Sequence, residues 1–207
     1  MSERVDFNAA AAHFDENPLR VQRAWQVVEA ILREVPVRPD MCALDFGCGT
    51  GLIALALRPH VCDIVAVDNA QAMLEIVQQK VQAGGLENLR PLLLDLEQED
   101  LTESGFDLIV SSMAFHHLHE PALVLRRLAK GLNSGGFVAV ADLDGGSEDF
   151  HDQDEGIKHH GFGAAERHEM FAQAGLSEVR TLEVFRMPKV RDGETREFPV
   201  LLTVGRK

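Results

Sequence analysis

The sequence predicts an α/β fold built on a doubly wound, mainly parallel sheet. Three observations support this prediction: strand-like and helix-like segments alternate along the chain, the early strands are nearly continuous apolar runs, and a glycine-rich bend follows the first strand. The composition agrees, because 207 residues that are 45% apolar and 26% charged are typical of one globular domain. We therefore expect a single domain over residues 1–207.

Apolar periodicity predicts the first helix and the elements that follow it. Apolar side chains, including Trp25, recur at helical spacing over residues 19–35, and Pro36 and Pro39 end this helix. Short apolar runs predict five buried strands, at residues 42–46, 60–67, 89–94, 106–110 and 137–141. Helical spacing predicts four more helices, at residues 52–57, 71–81, 121–132 and 164–174. Right-handed crossovers between consecutive parallel strands then give the doubly wound arrangement.

The C-terminal part of the chain has a different pattern. Acidic, glycine-rich sequence at residues 142–156 predicts a long loop after the fifth strand. Two strand-like runs, residues 179–187 and 198–204, are separated by the turn-forming residues 191–193 and predict an antiparallel hairpin. Pro199 has no N–H to donate, so we expect it at a strand start or a sheet edge.

Charge and cysteine content limit the classes of partner. The chain has 33 acidic and 20 basic residues, a net charge of −13, so its surface should repel phosphate backbones and anionic membranes. We expect neither nucleic acid nor membrane as a partner. The first residues are polar and acidic, unlike a secretory leader, and three cysteines make an odd number. We therefore expect a cytoplasmic protein, and the sequence predicts no oligomeric state.

The motif that indicates chemistry is the glycine-rich bend after the first strand. Glycines at positions 47, 49 and 51 allow a tight turn and let a ligand approach bare backbone. A dinucleotide fingerprint would need glycine at position 52, where the chain has leucine, and the ending of a P-loop is also missing. Asp45, just before the bend, would repel a pyrophosphate and could accept a hydrogen bond from a ligand ammonium group.

Two further acids follow the next two predicted strands. Asp68 ends the second strand, about where a carboxylate binds a ribose diol in doubly wound folds. Asp95 ends the third, where it could accept from an adenine amino group while Leu96 packs on the ring. Both acids have a simpler interpretation as solvated or helix-capping carboxylates. Together they predict a ligand with an amino group, a ribose and an adenine but no phosphate.

Five segments in matching order resemble the class I S-adenosylmethionine-dependent methyltransferases. They are residues 43–51 (ALDFGCGTG), 65–68 (VAVD), 94–96 (LDL), 106–112 with 116–118 (FDLIVSS and HHL), and 132–136 (LNSGG). The resemblance implies a Rossmann-like sheet of seven strands, with an antiparallel last strand inserted between the fifth and the sixth. It also implies that S-adenosyl-L-methionine is the cofactor and S-adenosyl-L-homocysteine its product.

The same resemblance assigns roles to residues and segments. The residues expected to bind the cofactor are Asp45, Phe46, Gly47, Cys48, Gly49, Asp68, Asn69, Met73, Asp95, Leu96, Ser111 and Ser112. The N-terminal segment, residues 1–35, should cover the cofactor, and the loop at residues 144–163 should form part of the acceptor site. Ser111 and Ser112 could instead cap the next element.

Two groups of histidines follow the fourth and fifth strands. We expect His116 and His117 to act as general bases, with a second group, His151, His159 and His160, in the loop opposite. A metal site is an alternative, but the spacing matches no familiar ligand pattern and we expect no metal. The remaining alternative is that these side chains only pack or cap.

These observations predict an enzyme that transfers a methyl group to a small-molecule acceptor by direct in-line displacement. The chain shows no separate recognition domain, and its acidity disfavours polynucleotide acceptors. Two alternatives share the cofactor: a protein or peptide methyltransferase with an acidic rim, and a non-catalytic S-adenosylmethionine-binding protein. A nicotinamide-dependent oxidoreductase is disfavoured by the glycine spacing.

Overall fold

The computed structural model describes residues 11–151 and 156–207, and its centre is a sheet of seven strands. The strands are β1 (Cys42–Phe46), β2 (Asp63–Asp68), β3 (Leu89–Leu93), β4 (Phe106–Ser112), β5 (Leu132–Leu143), β6 (Ser177–Arg191) and β7 (Glu194–Arg206). The α-helices are α1 (Pro18–Glu34), α2 (Leu52–Leu57), α3 (Gln71–Gly84), α4 (Pro121–Gly131) and α5 (Ala164–Gln173). Within the described ranges, no helix has the length and apolar character needed to cross a bilayer.

The strand order is β3-β2-β1-β4-β5-β7-β6. Strands β1 to β5 pair in parallel, and β7 runs antiparallel between β5 and β6. This confirms the predicted doubly wound α/β fold with an antiparallel last strand. The order reverses direction at β1, so the carboxyl ends of β1 and β4 border a crevice in which ligands of such sheets bind.

Helices cover both faces of the sheet. One core contains Val27 of α1, Ile53 of α2 and Val77 of α3 against one face, all with 6% exposure or less. The other contains Leu125 of α4 and Phe171 of α5. Because both faces are covered, the middles of β1, β2, β4 and β5 are buried and mostly apolar, which is the pattern that the sequence displays, whereas β3 at the edge is partly exposed.

Several predicted strand boundaries are wrong, including the start of β5, which lies at Leu132 and not at residue 137. Strand β2 begins at Asp63 because the preceding residues form a single helical turn, Arg58–His60, around a proline. Strands β6 and β7 extend to a two-residue turn at Asp192 and Gly193, which makes the hairpin longer than predicted. Strand β5 continues to Leu143 instead of giving way to a loop at Asp142, since Asp142 pairs with β7 and is fully buried.

Pro199 lies inside β7 rather than at its start. Its carbonyl accepts a hydrogen bond from the Asp144 N–H at 3.0 Å, but a proline cannot return the second bond of an antiparallel pair. The pairing of β5 with β7 accordingly stops at Leu143 and Val200. The proline therefore limits the length of β5, while β7 continues along β6.

Candidate active site

The glycine bend, residues 47–51, connects β1 to α2. Gly47, Gly49 and Gly51 all have positive φ, at 66°, 52° and 82°. A Cβ placed on Gly47 would lie 2.4 Å from the Cβ of Ala114, so this position has no room for a side chain. The Cys48 N–H donates to the carbonyl of Val67 at 3.0 Å, which fixes the bend to the end of β2.

Asp68 connects the glycine bend to the end of β2. Its Oδ2 accepts from the Gly49 N–H at 2.8 Å, and its Oδ1 accepts from the Ala70 N–H at 2.9 Å. Burial raises the pKa of Asp68 above its ordinary value, and the N–H groups of Ala70, Gly49 and Asn69 oppose that shift. A carboxylate has about four acceptor positions. Acceptor capacity therefore remains for a ligand in the neighbouring cavity.

A cavity of about 440 Å³ opens at the carboxyl ends of β1, β2 and β4. Ten of the twelve residues predicted to bind the cofactor line it: Phe46, Gly47, Cys48, Gly49, Asp68, Asn69, Met73, Asp95, Leu96 and Ser112. Leu96 is almost fully buried beneath it, and the Oδ1 of Asp95 accepts from the Glu97 N–H at 3.0 Å. The volume is in the range of small-molecule sites.

The other two predicted residues, Asp45 and Ser111, do not line the cavity. Asp45 is 1% exposed, and its Oδ2 accepts from the Ala54 N–H of α2 at 3.0 Å. Burial raises the pKa of Asp45 to about 8, so this side chain stabilises the start of α2 as a largely protonated carboxyl instead of facing a ligand. Ser111 precedes Ser112 in a strand, and successive side chains point to opposite faces, so only Ser112 faces the cavity.

The two histidines predicted as bases occupy different positions. His116 is 1% exposed and does not line the cavity. Its Nδ1 lies 2.6 Å from Oδ1 of Asp142, and its backbone N–H donates to Oδ2 of the same carboxylate at 3.3 Å. Burial disfavours the charged form of Asp142, but His116, Arg167 and the Leu143 N–H together lower its pKa to about 2.

His117 lines the cavity, next to His116, with their ring centroids 4.1 Å apart. Its Nδ1 lies 3.1 Å from the carbonyl oxygen of Gly156. A carbonyl only accepts, so Nδ1 carries the proton and Nε2 carries the lone pair. Burial and the adjacent His116 lower the pKa of His117 to about 4, so the ring is neutral at physiological pH.

The second histidine group lies beside the first but outside the cavity lining. The His151 ring is 5.1 Å from that of His116, and burial lowers its pKa to about 3. Buried nitrogens of His151, His159 and His160 have no hydrogen-bond partner among the described residues. Over the same ranges, no three metal-binding side chains are grouped to hold an ion.

Part of the predicted N-terminal cover lies outside the described residues, namely residues 1–10. The described part is fixed to the glycine bend by Asp15, whose carboxylate accepts from Thr50 Oγ1 at 2.5 Å and from Lys80 Nζ at 2.6 Å. This places Phe14 in the cavity lining. Trp25 is 56% exposed and so does not belong to the apolar face predicted for α1.

Sequence reasoning missed four residues in or beside the site. The Asp15–Lys80 pair joins positions 65 apart that no motif connects. Met113 lines the cavity with φ at 58°, which is uncommon outside glycine and typical of functional sites. Arg23 also lines the cavity from α1. A single arginine within an amphipathic helix is ordinary, so its sequence context does not indicate a site residue.

Comparisons with known proteins agree with this fold. Residues 43–136 match the family model described as a methyltransferase domain. An uncharacterized methyltransferase of Schizosaccharomyces pombe is 34% identical over 160 residues, covering 70% of this chain and 56% of that protein. The chain spans about half the length of the curated relatives it matches.

Two solved structures extend the comparison to the whole fold. A chain of the complex between the Haloferax volcanii Trm112 methyltransferase activator and a protein described as a methyltransferase aligns with a TM-score of 0.79. The two chains are 25% identical, and 99% of each is covered. A Haemonchus contortus phosphoethanolamine N-methyltransferase in complex with S-adenosyl-L-methionine aligns with a TM-score of 0.72 at 15% identity, covering 87% of this chain and 52% of that one.

The fold and the five motifs are those of the class I S-adenosylmethionine-dependent methyltransferases, and residues 43–136 match the methyltransferase-domain model.

Proposed function

We propose that the protein transfers a methyl group from S-adenosyl-L-methionine to a small-molecule acceptor. The observation that carries this proposal is the cavity at the carboxyl ends of β1, β2 and β4, where a bare glycine bend and the carboxylate of Asp68 meet. Three carboxylates, Asp68, Asp95 and Glu97, line the end of the cavity formed by β2 and β3. This end suits a ribose and an adenine and disfavours a pyrophosphate.

The residues of the cavity fit the proposed cofactor. Asp68 keeps acceptor capacity for the ribose hydroxyls, Leu96 presents an apolar surface for the adenine, and Ser112 has a buried Oγ with no partner among the described residues. The solved structure of the Haemonchus protein, which shares the fold, contains this cofactor. When bound, S-adenosylmethionine supplies a methyl group activated by a positively charged sulfur.

The protein would contribute mainly orientation and exclusion of water. Holding two reactants in line can account for about 7–11 kcal/mol of a barrier in favourable cases. His117 is the residue we propose as general base, because its neutral Nε2 carries a lone pair and the ring lines the cavity. His116 and Asp142 would act as positioning residues, since they are buried behind His117 and do not line the cavity.

The lining of the cavity favours a small acceptor. Residues of α1 and residues 156 and 158 line the side away from the adenosine end, so the acceptor would lie between the first helix and the predicted acceptor loop. Residues 152–155 of that loop lie outside the described part of the chain. A basic peptide remains the competing acceptor, because the net charge of −13 would attract it.

An acceptor screen tests this proposal. The purified protein is incubated with S-adenosylmethionine and a panel of small hydroxyl, amine, thiol and carboxylate compounds, together with one basic peptide, and S-adenosylhomocysteine is measured by mass spectrometry. We expect product with at least one small compound and less product with Asp68→Ala at the same subsaturating cofactor concentration. Product with the peptide alone would support the protein methyltransferase, and tight cofactor binding without product would support a non-catalytic binding protein.

A further inference from the structure

Arg23 is a buried cation for which the described residues supply no counter-ion. It lies on α1, is 9% exposed and lines the cavity. Its only hydrogen-bond partner among the described residues is the Sδ of Met187 at 3.9 Å, and its Nε has none. Burying an unpaired charge is costly, so a guanidinium in this state indicates a group that arrives from elsewhere.

The surroundings of Arg23 add to this cost. Burial and the charge of Arg20, one turn earlier on α1, lower the pKa of Arg23 to about 10, and Asp142 opposes the shift. Asp142 itself is already bonded to His116 and to the Leu143 N–H. Arg20 is also bound elsewhere, since it donates to the carbonyl of Phe14 and lies over the Phe14 ring. No nearby carboxylate among the described residues therefore neutralises Arg23.

Arg23 lies at the end of the cavity opposite the adenosine end. Its contact with Met187 places it towards β6, at one edge of the sheet, whereas Asp68 and Asp95 follow β2 and β3 at the other edge. The three lining carboxylates are all at the β2–β3 end. The cavity is thus polarised, with carboxylates for the adenosine at one end and a desolvated guanidinium at the other.

We propose that Arg23 binds a carboxylate group of a ligand held in this cavity. The planar guanidinium can bind a carboxylate through two parallel hydrogen bonds, and its Nε and terminal nitrogens are not used by protein oxygens among the described residues. This inference rests on the proposed function, in which two ligands can carry such a group: an acidic acceptor and the methionine half of the cofactor. The position of Arg23 at the β6 side favours the acceptor, which makes the acceptor an acidic small molecule.

The experiment uses Arg23→Met and Arg23→Lys, with Arg33→Met as the matched control, because Arg33 is an exposed arginine on the same helix. Melting temperatures of the ligand-free proteins are measured first. We expect Arg23→Met to melt no lower than the wild type, since it removes an unpaired buried charge. A clearly lower melting temperature, with Arg33→Met unchanged, would mean that Arg23 holds the fold together and would overturn the proposal.

Two binding measurements identify the source of the carboxylate. Calorimetry compares S-adenosylhomocysteine with 5′-methylthioadenosine, which lacks the amino-acid part. Thermal shift compares benzoate and malonate with benzamide and malonamide, with and without S-adenosylhomocysteine.

If the acceptor supplies the carboxylate, the acids stabilise the wild type and Arg33→Met more than the amides do, and Arg23→Met loses this difference. If the cofactor supplies it, Arg23→Met binds S-adenosylhomocysteine about ten- to a hundredfold more weakly and methylthioadenosine equally well. Arg23→Lys should retain part of either effect.

Both effects are absent if the proposal is wrong. It is overturned when Arg23→Met binds S-adenosylhomocysteine as the wild type does and no acid stabilises the wild type more than its amide. Failure of the proposed function gives a different result, because S-adenosylhomocysteine then does not bind the wild type. The acids tested without S-adenosylhomocysteine still show whether Arg23 binds a carboxylate.

Discussion

At the residue scale, neighbouring positions in the sequence have very different roles in the site. His116 and His117 are adjacent, yet one is buried against Asp142 and the other lines the cavity. The same holds for Ser111 and Ser112. The sequence predicted both members of each pair as site residues, because a motif identifies a segment but not which of its side chains faces the ligand.

His117→Ala should lower turnover by about 10²–10⁴ while leaving the affinity for S-adenosylhomocysteine nearly unchanged, because a general base acts on the acceptor. The pKa of His117, about 4, implies that the base is already neutral at pH 6. Turnover that depends on it should stay level above pH 6 and fall as pH approaches 4. Single-turnover rates and calorimetry check this, with His168→Ala, an exposed histidine of α5, as the control. A normal rate in His117→Ala, or a loss of cofactor binding, would contradict the assignment.

Asp45 leads to a prediction about how the stability of the protein depends on pH. Its pKa in the folded protein, about 8, lies above the ordinary value of 3.8. Between these values the folded state keeps a proton that the unfolded chain has lost, so the free energy of unfolding falls as pH rises from 4 to 8. The side chain of Asp45→Asn does not titrate. Its free energy of unfolding, relative to that of the wild type, should therefore increase by roughly a few kcal/mol as pH rises from 5 to 9. Urea unfolding at pH 5, 7 and 9 measures this, and a constant difference between the two proteins would refute it; the exposed Asp40→Asn serves as the control.

At the element scale, the glycine bend shows how far spacing alone determines structure. Its position after a buried strand, and the absence of glycine at residue 52, were sufficient to predict a ligand site without a pyrophosphate. The close approach of Ala114 to Gly47 comes from the segment after β4, which is 67 residues away and has no sequence signal. Local sequence thus predicted the bend, and only the fold reveals why one of its glycines has no space for a side chain.

Gly47→Ala should destabilise the protein more than Gly85→Ala. Both glycines have positive φ, but a Cβ at Gly85 would meet nothing within 4 Å, whereas one at Gly47 would clash with Ala114. The shared backbone cost is about 1 kcal/mol, and overpacking adds about 1–3 kcal/mol at Gly47 alone. Urea unfolding of the two variants measures the difference. Equal destabilisation would mean that the bend yields freely and that the contact with Ala114 has no effect.

The elements themselves were largely predictable, and the errors have physical causes. Helices α3 and α4 begin where the sequence indicates, at Gln71 and Pro121, because the apolar spacing starts there and, in α4, a proline occupies the first turn. Strand β5 was predicted too short at both ends, because residues 132–136 resembled a turn and Asp142 looked like a loop residue. A buried acid is stabilised by partners such as His116 and Arg167 that lie far away in the sequence, so local composition gives the wrong answer.

At the scale of the whole molecule, one buried arginine connects the elements behind the site. Arg167, 2% exposed on α5, donates to four backbone carbonyls: those of Phe162, Asp142, Leu143 and Leu201. These belong to the end of β5, to the middle of β7 and to the segment before α5. No sequence pattern indicated this residue. Its partners are backbone carbonyls, which every residue carries, so the side chains at those positions give no sign of the contact.

Arg167→Met should destabilise the protein by about 3 kcal/mol or more, because it leaves several buried carbonyls without donors. The substitution should also raise the pKa of Asp142 and so weaken its ion pair with His116, since Arg167 helps to lower that pKa. Urea unfolding measures the first effect and the pH profile of turnover the second. Arg33→Met, on an exposed position, is the control, and a stability equal to that of the control would contradict this role.

The most direct test of the central claim is calorimetric titration of S-adenosylhomocysteine into the wild type, Asp68→Ala and Asp63→Ala. Asp63 lies at the opposite end of the same strand, away from the cavity lining, and so serves as the matched control. We predict that the wild type and Asp63→Ala bind equally and that Asp68→Ala binds more weakly by about 1–3 kcal/mol. Absence of binding to the wild type, or equal binding to all three proteins, would contradict the assignment of the cavity to a phosphate-free adenosyl ligand held by Asp68.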